Sequence, residues 1–197
     1  MDMPTLSGER VIVRRFVPDD FDPIHRILDV EIDGLDGAEQ LAARRHWLEW
    51  SVRNYDALAS LYQPPYGDRA VILRETGELI GACGLAPALM PFDQLPSRGA
   101  AGSGLNSPEV GLYWAISPAH QRRGYAAAAG RLLIDYAFDS LRLARIVATT
   151  EYDNLASQRV MLKLGMALER NPHADPPWMQ IVATLENPAH AADHAAL

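Results

Sequence analysis

The chain has 197 residues, 48% of them hydrophobic, and a formal net charge of −7. That length supports one sizeable core and about one to one and a half domains. The acidic balance repels nucleic-acid phosphates, argues against duplex binding, and mildly favours a cationic partner such as an amine. No run of 18 apolar residues is present to span a membrane as a helix, and Met1-Asp2-Met3-Pro4 lacks the basic-then-apolar pattern of a secretory signal. The single cysteine, Cys83, excludes an intrachain disulfide. It lies in the apolar run Leu79–Leu85 and reads as a small buried hydrophobe, a usage that fits a reducing cytoplasm.

In chain order, Arg10–Phe16 alternates apolar and basic residues as a half-buried strand does. Pro18-Asp19-Asp20 offers a helix start before Phe21–Val30, and the acidic, glycine-bearing Glu31–Gly37 reads as a loop. Helical spacing runs from Ala38 to Tyr62, with Leu41, Leu48, Val52, Tyr55 and Tyr62 on one stripe and Trp47 and Trp50 on its neighbour; Gln63-Pro64-Pro65 stops it. Ala70–Glu75 and Glu78–Leu85 flank Thr76-Gly77 as a hairpin. Pro87–Pro108 is expected to be a mobile loop within one domain, with a lid as one possible use. Glu109–Ile116 is a fourth strand, Gly124–Phe138 a helix, Arg145–Thr150 a strand and Asn154–Leu164 a short helix closed by Gly165. Met166–Arg170 and Trp178–Leu185 supply two last strands. Residues 1–186 are thus expected to form a single α+β domain, with residues 187–197 a frayed tail.

The chemistry concentrates after the fourth strand, where Ser117-Pro118-Ala119-His120 leads through Gln121-Arg122-Arg123-Gly124-Tyr125-Ala126 into a helix. The free N–H groups of a helix's first turn, with its macrodipole, bind anions. Gly124 removes a side chain where a phosphate must approach the backbone, and Arg122 and Arg123 add positive charge to an acidic chain. Taken alone, the segment is equally an ordinary loop with two solvated arginines. No Gly-Lys pair is present for a P-loop, and Gly99, Gly102 and Gly104 lack dinucleotide spacing.

A second signal follows some thirty residues on, in Asn154-Leu155-Ala156-Ser157 and Lys163-Leu164-Gly165-Met166. With it the sequence resembles the GNAT superfamily of acyl-CoA-dependent N-acyltransferases, above all its ribosomal-protein N-terminal acetyltransferase branch. Gln121, Gly124 and Ala126 meet the Gln/Arg-x-x-Gly-x-Gly/Ala pattern; Asn154, Ser157, Lys163 and Gly165 meet the later one, with Met166 replacing an aromatic residue. Leu6–Arg14 and Pro108–Trp114 resemble that branch's first and fourth strands, so the likeness covers about Leu6 to Leu185.

The resemblance implies a GNAT-like fold: a bent, mostly antiparallel sheet of six or seven strands with about four helices, its fourth and fifth strands splayed to admit acyl-CoA. It implies that the backbone of Arg122, Arg123, Gly124, Tyr125 and Ala126, with Gln121, binds the pyrophosphate. Trp114, Ala115 and Ile116 would pair with the pantetheine arm, Asn154 would contact that arm, and Ser157 would sit near the sulfur. The implied function is transfer of an acetyl group from acetyl-CoA to a primary amine, a protein N-terminus or a small molecule, by direct attack in a ternary complex. A non-catalytic acyl-CoA-binding module is the alternative, kept open by Met161 at a position where many relatives carry tyrosine. Glu109 is the candidate general base and Ser157, Tyr152 or solvent the acid. Trp47, Trp50 and Tyr113 are candidates for the acceptor wall, though tryptophans at helical spacing usually pack. His190 and His194 lack a third ligand, so no metal is expected. Monomer and homodimer are both compatible with the sequence.

Overall fold

The computed structural model describes residues 4–100 and 102–189. In chain order the elements are β1 (Leu6–Ser7), β2 (Val11–Arg14), α1 (Phe21–His25), α2 (Ala38–Ser60), β3 (Gly67–Leu73), β4 (Leu79–Met90), β5 (Ser107–Ile116), α3 (Tyr125–Asp135), β6 (Arg145–Thr150), α4 (Leu155–Lys163), β7 (Ala167–Arg170) and β8 (Ile181–Glu186). The strands follow the order β1-β2-β3-β4-β5-β6-β8-β7 in one sheet of eight. Helices α1 and α3 each continue into a π-helical stretch, Arg26–Ile32 and Tyr136–Ser140.

The chain forms two interleaved compact units, residues 1–85 with 113–133 and residues 86–112 with 134–197. In the first, β1 to β4 pair antiparallel, with Val13 opposite Val71 and Ala70 opposite Ala82. The β3–β4 hairpin closes where expected: Gly77, at φ +74°, donates its N–H to the Leu73 carbonyl at 2.9 Å. Alternation in β2 buries Val11 and Val13, and α2 turns Leu48, Tyr55 and Leu58 inward. Leu48 packs in one cluster with Phe16, Phe21, Ile24, Ile27 and Ile72, and Ile12, on the other face of β2 from Val11 and Val13, lies against it. Each such side chain contributes about 1.5–3 kcal/mol by leaving water. Arg14 pins the entrance to α1 with two hydrogen bonds to Asp20, 2.7 and 2.8 Å.

In the second unit β6 pairs antiparallel with β8, and β8 with β7. Gly111 of β5 meets Val147 of β6 in parallel. Ala88, Phe92, Leu95, Val147, Met179 and Val182 form its core cluster.

The structure bears out the α+β GNAT-like class and corrects several details. Among the described residues there are eight strands, because Leu6–Ser7 forms a separate strand on β2; the strand expected as fourth is therefore β5. Strand β4 does not stop at Leu85 but runs to Met90, with Pro87 at an exposed position. The following segment is not a slack loop. Phe92–Gln94 and Pro96–Arg98 are 3-10 turns, and Phe92 and Leu95 are each 1% exposed. Ser97 donates to the Glu169 carboxylate, and Asn171 donates to Gln94 at 2.9 Å. The last strand begins at Ile181, since Pro177–Met179 forms another 3-10 turn. His190, His194 and most of the expected tail lie outside the described residues.

Candidate active site

The turn after β5 is tied to the sheet before it reaches the helix. Ser117 N–H donates to the Ile80 carbonyl (2.9 Å), His120 N–H to the Ser117 carbonyl (2.8 Å), and the Gln121 side-chain amide to the Ile116 carbonyl (3.0 Å). Gln121 is extended; Arg122 then takes φ +59° and Gly124 φ +83°. A non-glycine residue in that region is strained and marks a conformation the surroundings enforce. The first helical bond runs from Ala128 N–H to the Gly124 carbonyl at 3.0 Å. The amides of Tyr125, Ala126 and Ala127 lie ahead of that ladder and have no acceptor within the helix.

Arg10, which the sequence reading did not single out, braces this turn from β2's side. Its guanidinium donates to the Arg123 carbonyl at 2.7 Å and lies 4.5 Å from the Tyr125 ring centre. Arg122 and Arg123 are exposed, and among the described residues neither is ion-paired. A twisted turn that carries two exposed arginines, free amides and the Arg10 guanidinium therefore lie at one helix start. The close approach of β5 to β4 below it depends on Gly81, where a Cβ would stand 2.1 Å from the Ala115 carbonyl oxygen. Trp114 and Ala115 are half-buried and Ile116 is buried.

The same unit holds Trp47, Trp50 and Tyr113. Trp47 packs edge-on against Phe16, ring centres 5.2 Å apart, with the Arg44 guanidinium 4.7 Å over its ring, whereas Trp50 is 50% exposed. Tyr113 donates its hydroxyl to the Asp68 carboxylate, and Tyr55 donates to the Asp68 carbonyl. Burial pushes the Asp68 carboxyl above the usual carboxylate range, with Trp47, Ser51 and Arg44 acting in the opposite sense. Asp68 was not legible as a site residue; its one signal was a charge near the head of an apolar strand.

Glu109, Asn154 and Ser157 belong to the second unit. The side chain of Glu109 is 7% exposed and gripped by two arginines: Arg98 Nη1 at 2.8 Å from Oε1, and Arg145 Nε at 2.9 Å from both oxygens. Its grip raises the Arg145 pKa further above its ordinary value. Both oxygens face guanidinium groups, which take three of the carboxylate's roughly four acceptor sites. Glu109 is thus the hub of an ion-pair network, and its expected role as base is a matter for the test described below. Asn154 caps α4, its Oδ1 accepting the Ser157 N–H at 3.1 Å, and Ser157 is half-buried in the first turn. Tyr152 spends its hydroxyl on the Asn171 carbonyl at 2.5 Å, and Met161 is 1% exposed, a packing residue.

Cys83 is buried, and that burial pushes its thiol up to about 12. Native protein should leave a thiol-reactive dye uncoloured over minutes and react with one equivalent once denatured; fast native labelling would contradict this. Among the described residues no group of three or more His, Cys, Asp or Glu could hold a metal, and no helix is long and apolar enough to cross a membrane.

The sequence pattern of the "Acetyltransferase (GNAT) domain" family matches residues 10–167. The chain belongs to the GNAT acetyltransferase family. It is 30% identical over 168 residues, 84% of each chain, to the uncharacterized N-acetyltransferase YoaA of Bacillus subtilis. Among solved structures, an acetyltransferase from Agrobacterium tumefaciens superposes with a TM-score of 0.66 at 24% identity, covering 94% of this chain and 96% of that one. RimL, a ribosomal-protein acetyltransferase solved with coenzyme A, superposes with a TM-score of 0.61 at 13% identity, covering 93% and 98%. This GNAT protein is thus an acyl-CoA-dependent acetyltransferase, and the matched region spans both of its interleaved units.

Proposed function

We propose that this acetyltransferase moves an acetyl group from acetyl-CoA to a primary amine by direct attack within a ternary complex. The observation that carries the reading is the turn at Arg122–Gly124, where backbone twist, unladdered amides and the Arg10, Arg122 and Arg123 guanidinium groups make an anion cradle. The amides of Arg122 to Ala126 take the pyrophosphate, while Gln121 holds the turn to Ile116. Trp114, Ala115 and Ile116 align the pantetheine arm as an added strand, and a β5 amide near Ile116 stabilises the oxyanion. Asn154 fixes the start of α4 by capping it at Ser157, and solvent can protonate the leaving thiolate. The single buried cysteine suits a reducing cytoplasm.

An α-amine, pKa about 8, is roughly one-tenth neutral at pH 7, and a lysine amine far less. A protein N-terminus is thus a readier nucleophile than a lysine side chain and needs less help from a base. RimL, which acts on a ribosomal protein, supports an N-terminus as the acceptor. The test is thiol release from acetyl-CoA over a panel of N-terminal peptides and small amines. Release above background hydrolysis with at least one amine is expected; tight coenzyme A binding with no turnover on any of them would overturn the reading.

A further inference from the structure

We propose that the Asp68 carboxylate, with the Tyr113 hydroxyl set on it and Trp47 beside it, is the acceptor-binding group of this enzyme and holds the amine as its ammonium ion. The inference rests on the acetyl-transfer reading above and adds to it the residue that selects the acceptor.

Three elements of one unit converge on Asp68. Strand β3 carries the carboxylate, β5 supplies the Tyr113 hydroxyl, and α2 supplies Trp47, Ser51 and Tyr55. The reach from β5 to β3 crosses the intervening strand and needs a gap there. Asp68 lies opposite Gly84 of β4, and a Cβ on Gly84 would stand 2.6 Å from Tyr113 Cε1 and 2.5 Å from the Gly67 carbonyl oxygen. The phenol ring therefore lies over β4 only because residue 84 has no side chain.

Asp68 lacks a cation. Among the described residues it joins no ion pair, and Arg44, which acts on it at a distance, spends its guanidinium on Asp29 at 3.0 and 2.7 Å. A carboxylate drawn out of water without a counter-ion is costly, and such groups are retained where a ligand supplies the missing charge. Asp68, Tyr113 and Trp47 are half-buried, so the group is neither sealed nor fully solvated. An ammonium offers three N–H donors to Asp68 and to the lone pairs of the Tyr113 oxygen. Tyr113 immediately precedes the Trp114–Ile116 segment proposed for the acyl-carrying arm. At about 3.3 Å per residue, Ile116 lies roughly 10 Å along the strand from Tyr113, within reach of a short amine.

The bound ammonium gives one proton to water as the amine leaves Asp68 for the thioester. The freed nitrogen lone pair forms the C–N bond, the thioester C–S bond breaks, and the thiolate takes the second proton. Amide and free thiol are the products, with one proton released.

The test compares wild type, Asp68→Asn and Tyr113→Phe on an alkyl amine, cationic at pH 7, and a weakly basic aryl amine, neutral at pH 7, with coenzyme A affinity measured alongside. Asp68→Asn should raise the KM for the alkyl amine at least about tenfold, and Tyr113→Phe about threefold, the scale of one hydrogen bond to a charge. The aryl amine KM and coenzyme A affinity should barely move. Equal losses on both amines, or none, would overturn the assignment. If Asp68→Asn fails to fold, Tyr113→Phe decides by the same comparison. If wild type turns over neither amine, calorimetric titration of the alkylammonium into the coenzyme A complex decides, binding being expected in wild type and its absence overturning the proposal. Failure of coenzyme A to bind at all would instead sink the acetyl-transfer reading.

Discussion

Gly124→Val should lower coenzyme A affinity by at least about a hundredfold while the protein remains folded. The residue sits at φ +83°, where a β-branched side chain is strained by about 1–2 kcal/mol. The larger effect is on the cradle. To relieve the strain, residue 124 must rotate, which re-aims the amides of Gly124 and Tyr125 and pushes side-chain carbons into the space an anion would occupy. Charge-assisted hydrogen bonds contribute about 1.5–3 kcal/mol each, so the loss of two accounts for the expected change. Calorimetric titration with coenzyme A, checked by circular dichroism, measures it. A folded variant with wild-type affinity would show that the nucleotide binds elsewhere.

Glu109→Gln should cost stability and spare catalysis. The carboxylate joins Arg98 from the segment before β5 to Arg145 at the head of β6, and Arg145 also lies 3.7 Å from Glu186. Removing its charge leaves two guanidinium groups close together, one of them 39% exposed, so water recovers part of the loss. The cost should fall between that of surface and buried pairs, about 1–3 kcal/mol. For a chain of this size that lowers the melting temperature by several degrees, about 2–4 °C per kcal/mol. The kcat of the folded fraction should stay within about threefold of wild type, whereas removing a general base costs roughly a hundredfold or more. A drop of that size with unchanged stability would assign Glu109 the role of base.

Much of the fold could be read from local pattern. Thr76-Gly77 announced its hairpin, and the run from Gly124 announced α3, because turn chemistry and helical spacing act over a few residues. Leu6–Ser7 was too short for periodicity to reveal, and Pro87 read as a stop because its harmlessness depends on what faces it in space. The candidate site divides in the same way. The Gln121–Ala126 turn is a local object and was visible as one. The ion pairs of Glu109 stayed hidden because its partners lie 11 residues before and 36 residues after it, and no local rule joins them. Asp68 was silent, since its meaning comes from Tyr113, 45 residues on, and from a glycine that leaves room for the ring. Asn154 carried two messages in one motif, a cofactor contact by resemblance and a helix cap by geometry; the geometry displays the second.

The stretch between β4 and β5 has a kinetic consequence. Phe92 and Leu95 are plugged into the core of their unit, and polar ties run from Gln94, Ser97 and Arg98 to three separate strands or turns. Swinging this stretch open would expose two large apolar side chains and break those ties together. Phe92–Arg98 is therefore expected to move with its unit and not as a hinged flap, and turnover should show no viscosity dependence that arises from its opening.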